Sequence, residues 1–213
     1  MSKTYSQYKF LFYYKLGNNQ NQNPNLSEFS FKNIILSEQD IAEMTARLGK
    51  EIPKTLQNST KIPVIVGVMK GSLNFMMDLL KNIDLPVFTD YIQISSYSGT
   101  TSSGKVRLVK DLSYDCQDRP VVIVEDIIDT GRSMEFLIKH FQSHNPNKVL
   151  VCSLFDKKEA RIAAVSVDFV GLELKGRNFL IGYGLDYNEL GRNLPYVYNA
   201  KPEDIAELDS ILK

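Results

Sequence analysis

The stretch VVIVEDIIDTGRS, Val121–Ser133, decides the fold of this chain. An apolar β-branched run leads into two adjacent carboxylates, a third acid and then Thr-Gly-Arg-Ser. The run predicts a buried strand, and Gly131 lets backbone N–H groups approach an anion closely. Because SMEFLIKHF follows at helical spacing, the N-terminus of a helix lies behind the turn, where its dipole favours phosphate. The stretch therefore predicts a strand, a phosphate-binding loop and a helix.

The acids at the end of this strand indicate the kind of ligand. Glu125 and Asp126 end the strand, where at least one carboxylate must face a crevice rather than the core. Two acids beside a phosphate would repel it unless sugar hydroxyls or Mg²⁺ lie between them. The predicted ligand is thus a metal-bound sugar phosphate, with its phosphate on the loop and its ribose on the acids. A simple capped turn is the alternative for Asp-Thr-Gly taken alone.

Apolar runs elsewhere predict the rest of the sheet. Buried strands that alternate with amphipathic helices favour an α/β fold, in which helices flank a central, mostly parallel sheet and active-site groups lie at the strands' carboxyl ends. The predicted strands are PVIVGVM, YIQISS, KVRLVKDL, VVIVED, KVLVCSLF, VDFVGLEL and FLIGYG. The predicted helices are SEQDIAEMTARLGKEI, with Ser37 as N-cap, GSLNFMMDLLKNI, SMEFLIKHF and KPEDIAELDSILK.

Composition and charge restrict the class of protein. The 213 residues carry 25 basic and 25 acidic side chains, so no bulk attraction to nucleic acid or to a membrane surface is expected. Two cysteines make no disulfide framework, and no apolar run reaches the length of a membrane span. A cytoplasmic, soluble protein is expected. Residues 1–33, polar and in part Asn-rich, are predicted to be an N-terminal extension to a domain over residues 34–213.

Two other glycine-rich segments are weaker candidates for a phosphate loop. GTTSSGKV, residues 99–106, has Val106 where a nucleotide-binding loop needs a hydroxyl for Mg²⁺, and the following residues alternate like a strand. It is interpreted as a Gly/Ser/Thr-rich loop. GYG at residues 182–184 lacks the third glycine of a dinucleotide fingerprint and the helix that should follow it.

VVIVEDIIDTGRS resembles the phosphoribosyl-diphosphate signature of type I phosphoribosyltransferases, and its Glu-Asp-Ile-Ile-Asp-Thr-Gly form resembles the hypoxanthine-guanine phosphoribosyltransferases in particular. The resemblance extends from about Ile35 to the C-terminus. It implies the family's fold, with a small hood or purine-pocket subdomain and a flexible lid loop. It also implies an enzyme of purine salvage that transfers phosphoribosyl from phosphoribosyl diphosphate to N9 of a 6-oxopurine, uses Mg²⁺ and forms a homodimer or homotetramer.

The resemblance implies roles at the sugar and phosphates. Glu125 and Asp126 would hold the ribose hydroxyls and Mg²⁺, and Asp129 would act as acid and base at purine N7. The 5′-phosphate would bind to Thr130, Gly131, Arg132 and Ser133. VMKGS resembles the family's diphosphate loop, so the pyrophosphate would lie at Lys70 and Gly71, after a cis peptide between Met69 and Lys70. An ordinary strand-to-helix turn is the alternative for VMKGS.

Further roles concern the lid, the base and the leaving group. Ser96 and Tyr97 would close over the site as part of the lid. FDKKEAR resembles the segment whose lysine, Lys157, contacts the purine 6-oxygen. NFLIGYGLDYNELGRNLPY resembles the purine pocket, in which Phe179 stacks on the base and the backbone of Leu180 reads it. The remaining implied roles are a second Mg²⁺ for Asp186 and pyrophosphate binding for Arg161 and Arg192. A surface lysine and a core phenylalanine are the plain alternatives for Lys157 and Phe179.

The sequence also leaves open an interpretation from a different class of protein. A non-catalytic regulator could keep the same fold to sense phosphoribosyl diphosphate. Against it, the chain has both the acid implied at N7, Asp129, and the lysine implied at the base, Lys157. The order of preference among hypoxanthine, guanine and xanthine is not predicted.

Overall fold

The computed structural model describes residues 33–96 and 106–212. Its main sheet has six strands in the order β4-β3-β2-β5-β6-β7. Neighbouring strands are parallel except for β4, which pairs antiparallel with β3 at one edge. The strands are β2 (Val64–Met69), β3 (Phe88–Ser96), β4 (Val106–Lys110), β5 (Pro120–Ile128), β6 (Lys148–Asp156) and β7 (Phe169–Glu173). The predicted mostly parallel sheet is confirmed.

Helices cover both faces of this sheet. On one face, α1 (Glu38–Leu56) and α2 (Leu73–Leu80) pack on a layer that includes Val122 and Val124. On the other, α3 (Arg132–Gln142) packs on Val121 and Ile123. Because successive side chains of a strand point to opposite faces, a continuous apolar run is required to fill both layers. The run at Val121–Val124 is fully buried, so β5 forms the centre of the molecule.

A second, smaller sheet has three antiparallel strands in the order β1-β9-β8. They are β1 (Ile34–Leu36), β8 (Leu180–Ile181) and β9 (Val197–Asn199), followed by α4 (Pro202–Ile211). The sequence predicts one strand over FLIGYG, whereas only Leu180–Ile181 is extended. The strand ends there because Gly182 and Gly184 have φ of 114° and 106°, values that turn the chain and that side chains rarely adopt. This sheet corresponds to the expected small subdomain.

Several local predictions can be compared with the structure. Ser37 caps α1 as predicted, in a capping box with Asp40. Residues 97–105, which contain most of the predicted lid, and residues 1–32 of the predicted extension lie outside the described residues. The boundary at residue 34 therefore stays a prediction. None of the helices in the described part of the chain is long and apolar enough to span a membrane.

Candidate functional site

The predicted phosphate loop lies between the end of β5 and the start of α3. Gly131 has φ of 80° and is the N-cap of α3, and its carbonyl accepts the Glu135 N–H at 2.8 Å. A pocket of about 120 Å³ opens here and is lined by the end of β5, by the loop from Asp129 to Gly131 and by Ser133. Backbone N–H groups at a helix N-terminus favour an anion. The local geometry therefore suits a phosphate group, as the sequence predicts.

The two acids that end β5 occupy different environments. Glu125 is buried, with 8% of its surface exposed, whereas Asp126 is half-buried. Burial, and secondly the negative charge of Asp126, raise the pKa of Glu125 well above its ordinary value. The backbone N–H of Asp126 donates to Glu125 Oε1 at 3.1 Å, which offsets part of this cost. A cation or hydroxyl donors at this place would relieve the remaining repulsion.

The predicted diphosphate loop packs directly against these acids. The Met69–Lys70 peptide is cis, as the resemblance implies. A Cβ atom added to Gly71 would lie 1.7 Å from Asp126 Oδ2, and one added to Gly184 would lie 2.0 Å from the Gly71 carbonyl oxygen. Three segments that are far apart in sequence thus meet with no room for a side chain at either glycine.

Lys70 and Arg192 meet at a shared acid. Lys70 Nζ lies 3.0 Å from Glu189 Oε2, and Arg192 Nε lies 3.3 Å from the same oxygen. Arg192 also pairs with Asp186 at 2.8 Å and donates to the Gly184 carbonyl at 2.7 Å. Interactions with Lys70, first, and with Arg192 lower the pKa of Glu189. Two of the three cations predicted to hold pyrophosphate are thus brought together, with the Glu189 carboxylate between them.

Arg161 contacts the phosphate loop on the side of the β6 end. Its guanidinium pairs with Asp156, which is almost fully buried at the end of β6, and donates to the Asp129 carbonyl at 3.1 Å. It also donates to the Val165 carbonyl at 2.8 Å. A Cβ atom on Gly131 would meet Arg161 Cδ at 2.6 Å. These contacts place Arg161 with the phosphate loop, and its predicted role at pyrophosphate stays a prediction.

The residues predicted to hold the base lie near one another. Lys157 Nζ donates to the Asn178 carbonyl at 2.9 Å, directly before Phe179 in the chain. Phe179 is 46% exposed and makes an edge contact with Tyr187, with ring centroids 5.8 Å apart. Leu180 is buried in the small sheet. An exposed ring beside a lysine leaves a face on which a planar base can stack, so Phe179 is not the plain core residue of the alternative.

Some predicted residues are not brought together or are not described. The carboxylate oxygens of Glu125, Asp126 and Asp186 do not all lie within 4.8 Å of one another. Asp186 lies instead beside Arg192, and the second ion implied for it stays a prediction. Ser96 ends β3, but its side chain is not described, and Tyr97 lies outside the described residues.

Two acids at the site were not predicted. Glu189, between the two cations, lies in a tight turn in which Asn188 and Glu189 have φ of 48° and 68°, and no sequence pattern singled it out. Asp156 could have been found, because it ends the apolar run KVLVCSLFD as Glu125 ends its own run. An acid at the carboxyl end of a buried parallel strand was the available signal.

Comparisons with known proteins identify the family of this chain. Residues 32–188 match the family model described as "Phosphoribosyl transferase domain". Hypoxanthine-guanine phosphoribosyltransferases of Streptococcus pyogenes and Streptococcus agalactiae are 42% and 44% identical over 177 residues, which make up 83% of this chain and 97% of theirs. A crystal structure of a hypoxanthine phosphoribosyltransferase from Staphylococcus aureus is 39% identical, with a TM-score of 0.76 over 81% of this chain and 93% of that one.

Gly71→Ala is expected to destabilise the protein by about 1–3 kcal/mol, because the new methyl group overlaps Asp126. Urea unfolding of the metal-free protein measures this cost. The matched test is the same substitution in an Asp126→Ala background, where the overlapping carboxylate is absent. There the cost should fall by more than about 0.5 kcal/mol. Equal costs in the two backgrounds would contradict the contact.

Glu125 is expected to make the stability of the metal-free protein depend on pH. Its folded pKa lies well above its ordinary value of 4.5, so folding takes up a proton between the two values. The free energy of unfolding contributed by this group is therefore highest below pH 4.5 and falls as the pH rises toward the folded pKa.

Glu125→Gln removes this titration, so urea unfolding in a chelator should show a flatter pH dependence above 4.5 and a more stable protein at neutral pH. Glu43→Gln, at an exposed position on α1, is the control and should keep the wild-type slope. A Glu125→Gln variant with the wild-type slope would refute the assignment.

Proposed function

This chain belongs to the phosphoribosyltransferase family, and from this premise we propose that it is a purine-salvage transferase. It moves the 5-phosphoribosyl group of phosphoribosyl diphosphate to N9 of hypoxanthine or guanine, or of xanthine, and forms the nucleotide and pyrophosphate. The observation that carries the proposal is one edge of the sheet, where a phosphate loop, two adjacent acids of which one is buried, and a pair of cations meet. These are the groups that a sugar carrying a phosphate and a diphosphate requires.

The sugar phosphate is held at the end of β5. The 5′-phosphate binds to the loop from Thr130 to Ser133, with the helix dipole of α3 behind it. Arg161 braces this loop through the Asp129 carbonyl. The acids Glu125 and Asp126 accept hydrogen bonds from the ribose hydroxyls. The partial positive charge that develops on the ribose ring as its bond to the leaving group breaks is stabilised by the same carboxylates.

The leaving group is held by Lys70 and Arg192. Negative charge grows on the pyrophosphate as its bond to the sugar breaks, and fixed cations stabilise that charge. In the structure these two cations hold Glu189 between them, so the substrate must displace this carboxylate. The Gly71 backbone approaches Asp126 closely. This contact holds the acids at the ribose and the cations at the leaving group in fixed positions on the two sides of the bond that breaks.

The donor set suits Mg²⁺. Carboxylate oxygens are the ligands this ion prefers, and the raised pKa of Glu125 marks a place where a positive charge is favourable. Glu125 and Asp126 would hold one ion with the ribose hydroxyls, and Asp186 a second. When bound, Mg²⁺ supplies neutralisation of the charge that grows on the pyrophosphate.

The base is held on the opposite side of the ribose. Phe179 stacks on it, the Leu180 backbone contacts its edge, and Lys157 exchanges the Asn178 carbonyl for the purine 6-oxygen. Adenine carries an amino group at this place, which would leave the lysine without an acceptor, so 6-oxopurines are favoured. Asp129 takes the proton at N7 as N9 attacks the sugar.

The proposal is tested by offering hypoxanthine, guanine, xanthine and adenine separately with phosphoribosyl diphosphate and Mg²⁺, and following nucleotide formation by absorbance. Turnover with 6-oxopurines, and its loss in a chelator, is expected. Asp129→Asn should lower kcat by about 10²- to 10⁴-fold, because it removes the proton acceptor. Binding of phosphoribosyl diphosphate without turnover of any base would instead make the chain a regulator.

Glu189→Gln is expected to lower the KM for phosphoribosyl diphosphate, on the order of threefold, because the substrate no longer displaces a carboxylate from Lys70 and Arg192. Inhibition by pyrophosphate should strengthen in parallel. Steady-state kinetics measure both effects, with Glu207→Gln on α4 as the control. A higher KM would mean that Glu189 positions the two cations rather than competing with the substrate.

Two further proposals concern the oligomeric state and the location of the protein in the cell. We expect a homodimer or homotetramer, which light scattering on the purified protein would determine. In a 31% identical relative, the hypoxanthine phosphoribosyltransferase of Trypanosoma cruzi (TM-score 0.79 over 86% of this chain and 98% of that one), the C-terminal region has a role in the oligomeric state. A cytoplasmic location is supported by two buried cysteines that are unpaired. Nucleic acid and membranes are not expected as partners.

A further inference from the structure

The chain contains two histidines, and both lie at the C-terminal end of α3. His140 is in the last turn of the helix, and His144 follows four residues later. Residues four apart lie on the same face of a helical turn. Asp111, from the connection after β4, reaches the same place. At about 1.5 Å per residue, this end of α3 lies about 16 Å from the phosphate loop at its other end.

Their ligand atoms are already close together. His140 Nε2 lies 2.8 Å from Asp111 Oδ1, and one ligand atom from each of the three residues lies within 4.8 Å of the other two. No other group of three such side chains with this spacing occurs in the part of the chain that the structure describes. Ligands of a tetrahedral zinc ion lie about 3.3 Å apart, given metal–ligand distances of about 2.0–2.2 Å. Side-chain rotations that bring the ligand atoms closer together by at most about 1.5 Å are therefore enough to form the site.

One ring is held in the form that can bind a metal. His144 Nδ1 lies 2.9 Å from the His140 carbonyl oxygen, which can only accept, so Nδ1 carries the hydrogen. The lone pair is then on Nε2, which makes Nε2 the ring atom that can coordinate an ion. Metal-binding histidines commonly donate their other ring N–H to a carbonyl or carboxylate in this way, which orients the ring.

We propose that Asp111, His140 and His144 form a binding site for a divalent transition-metal ion of the zinc class, separate from the active site. Two imidazoles and one carboxylate suit Zn²⁺, Co²⁺ or Ni²⁺, whereas Mg²⁺ prefers an all-oxygen set. The site would clamp the connection between β4 and β5 onto α3, the helix that presents the phosphate loop. Its existence does not depend on the proposed transferase activity.

The surrounding charges are compatible with a cation. The last carbonyls of α3 give its C-terminal end partial negative charge. The nearby cation Lys110 donates to the Asp111 carbonyl at 3.1 Å, but it is also paired with the buried Asp90 at 3.2 Å. His144 and Asp111 are exposed, so the site is open for an ion to enter and for water to complete its coordination.

The test uses the full chain without a histidine tag, titrated with Zn²⁺ in excess Mg²⁺ so that the active-site acids are occupied. Because the chain has two histidines, a long-range ¹H–¹⁵N spectrum of the imidazoles shows two rings, and the Nε2 signal of each should shift with one equivalent of Zn²⁺. Calorimetry should give a 1:1 stoichiometry, with affinity lower by at least about tenfold in His140→Gln, His144→Gln and Asp111→Asn.

Controls distinguish this site from other places where Zn²⁺ can bind. Asp84→Asn, an exposed acid before β3, should bind Zn²⁺ as the wild type does, and transferase turnover with Mg²⁺ should be unchanged in His144→Gln. Since His144 is exposed, that variant is expected to fold, and circular dichroism checks it. Unshifted imidazole signals, or equal Zn²⁺ affinity in wild type and His144→Gln, would overturn the proposal.

Discussion

The candidate active site depends on two adjacent acids at the end of the central strand, Glu125, which is buried, and Asp126, which is half-buried. Glu125 and Asp126 follow directly from the most buried run of the sheet, and burial with mutual repulsion raises the pKa of Glu125. The chain accepts this cost at a point where Gly71 leaves no room for a side chain. The acids are thus held against the predicted diphosphate loop. Binding of a cation or a sugar there can offset the free-energy cost of burying them.

The groups around these acids are positioned in pairs of opposite charge. Arg161 pairs with Asp156 and donates a hydrogen bond to the phosphate loop. Glu189 pairs with both Lys70 and Arg192 where the pyrophosphate is proposed to bind. The Arg161–Asp156 pair fixes the side chain that contacts the phosphate loop, and preorganisation of this kind lowers the entropy cost of binding. Glu189 instead occupies the two cations until a substrate displaces it. The Glu189 side chain is exposed, so its proposed displacement by a more highly charged diphosphate should cost little free energy.

The helix α3 has a candidate binding site at each of its two ends. Its N-terminus begins at Gly131 and faces the phosphate pocket, while its C-terminus carries the histidines proposed to bind metal. Opposite ends of a helix favour opposite charges, anions at the first turn and cations at the last. The placement of both sites follows this one rule, although only the first belongs to the transferase.

The sequence by itself predicted the parallel sheet and the loop that lines a pocket at the start of α3, whereas the roles of the individual site residues stay predictions. Periodicity identifies buried strands, and DTGRS and VMKGS are local motifs whose residues stay adjacent in any fold. Tertiary structure alone decided which distant groups meet: Gly71 with Asp126, Lys70 with Glu189, and Arg161 with the loop at Asp129. It also placed Leu180–Ile181 in a separate sheet and brought Asp111 to the histidines. Such contacts depend on strand order and close packing between segments, which no local pattern of residues encodes.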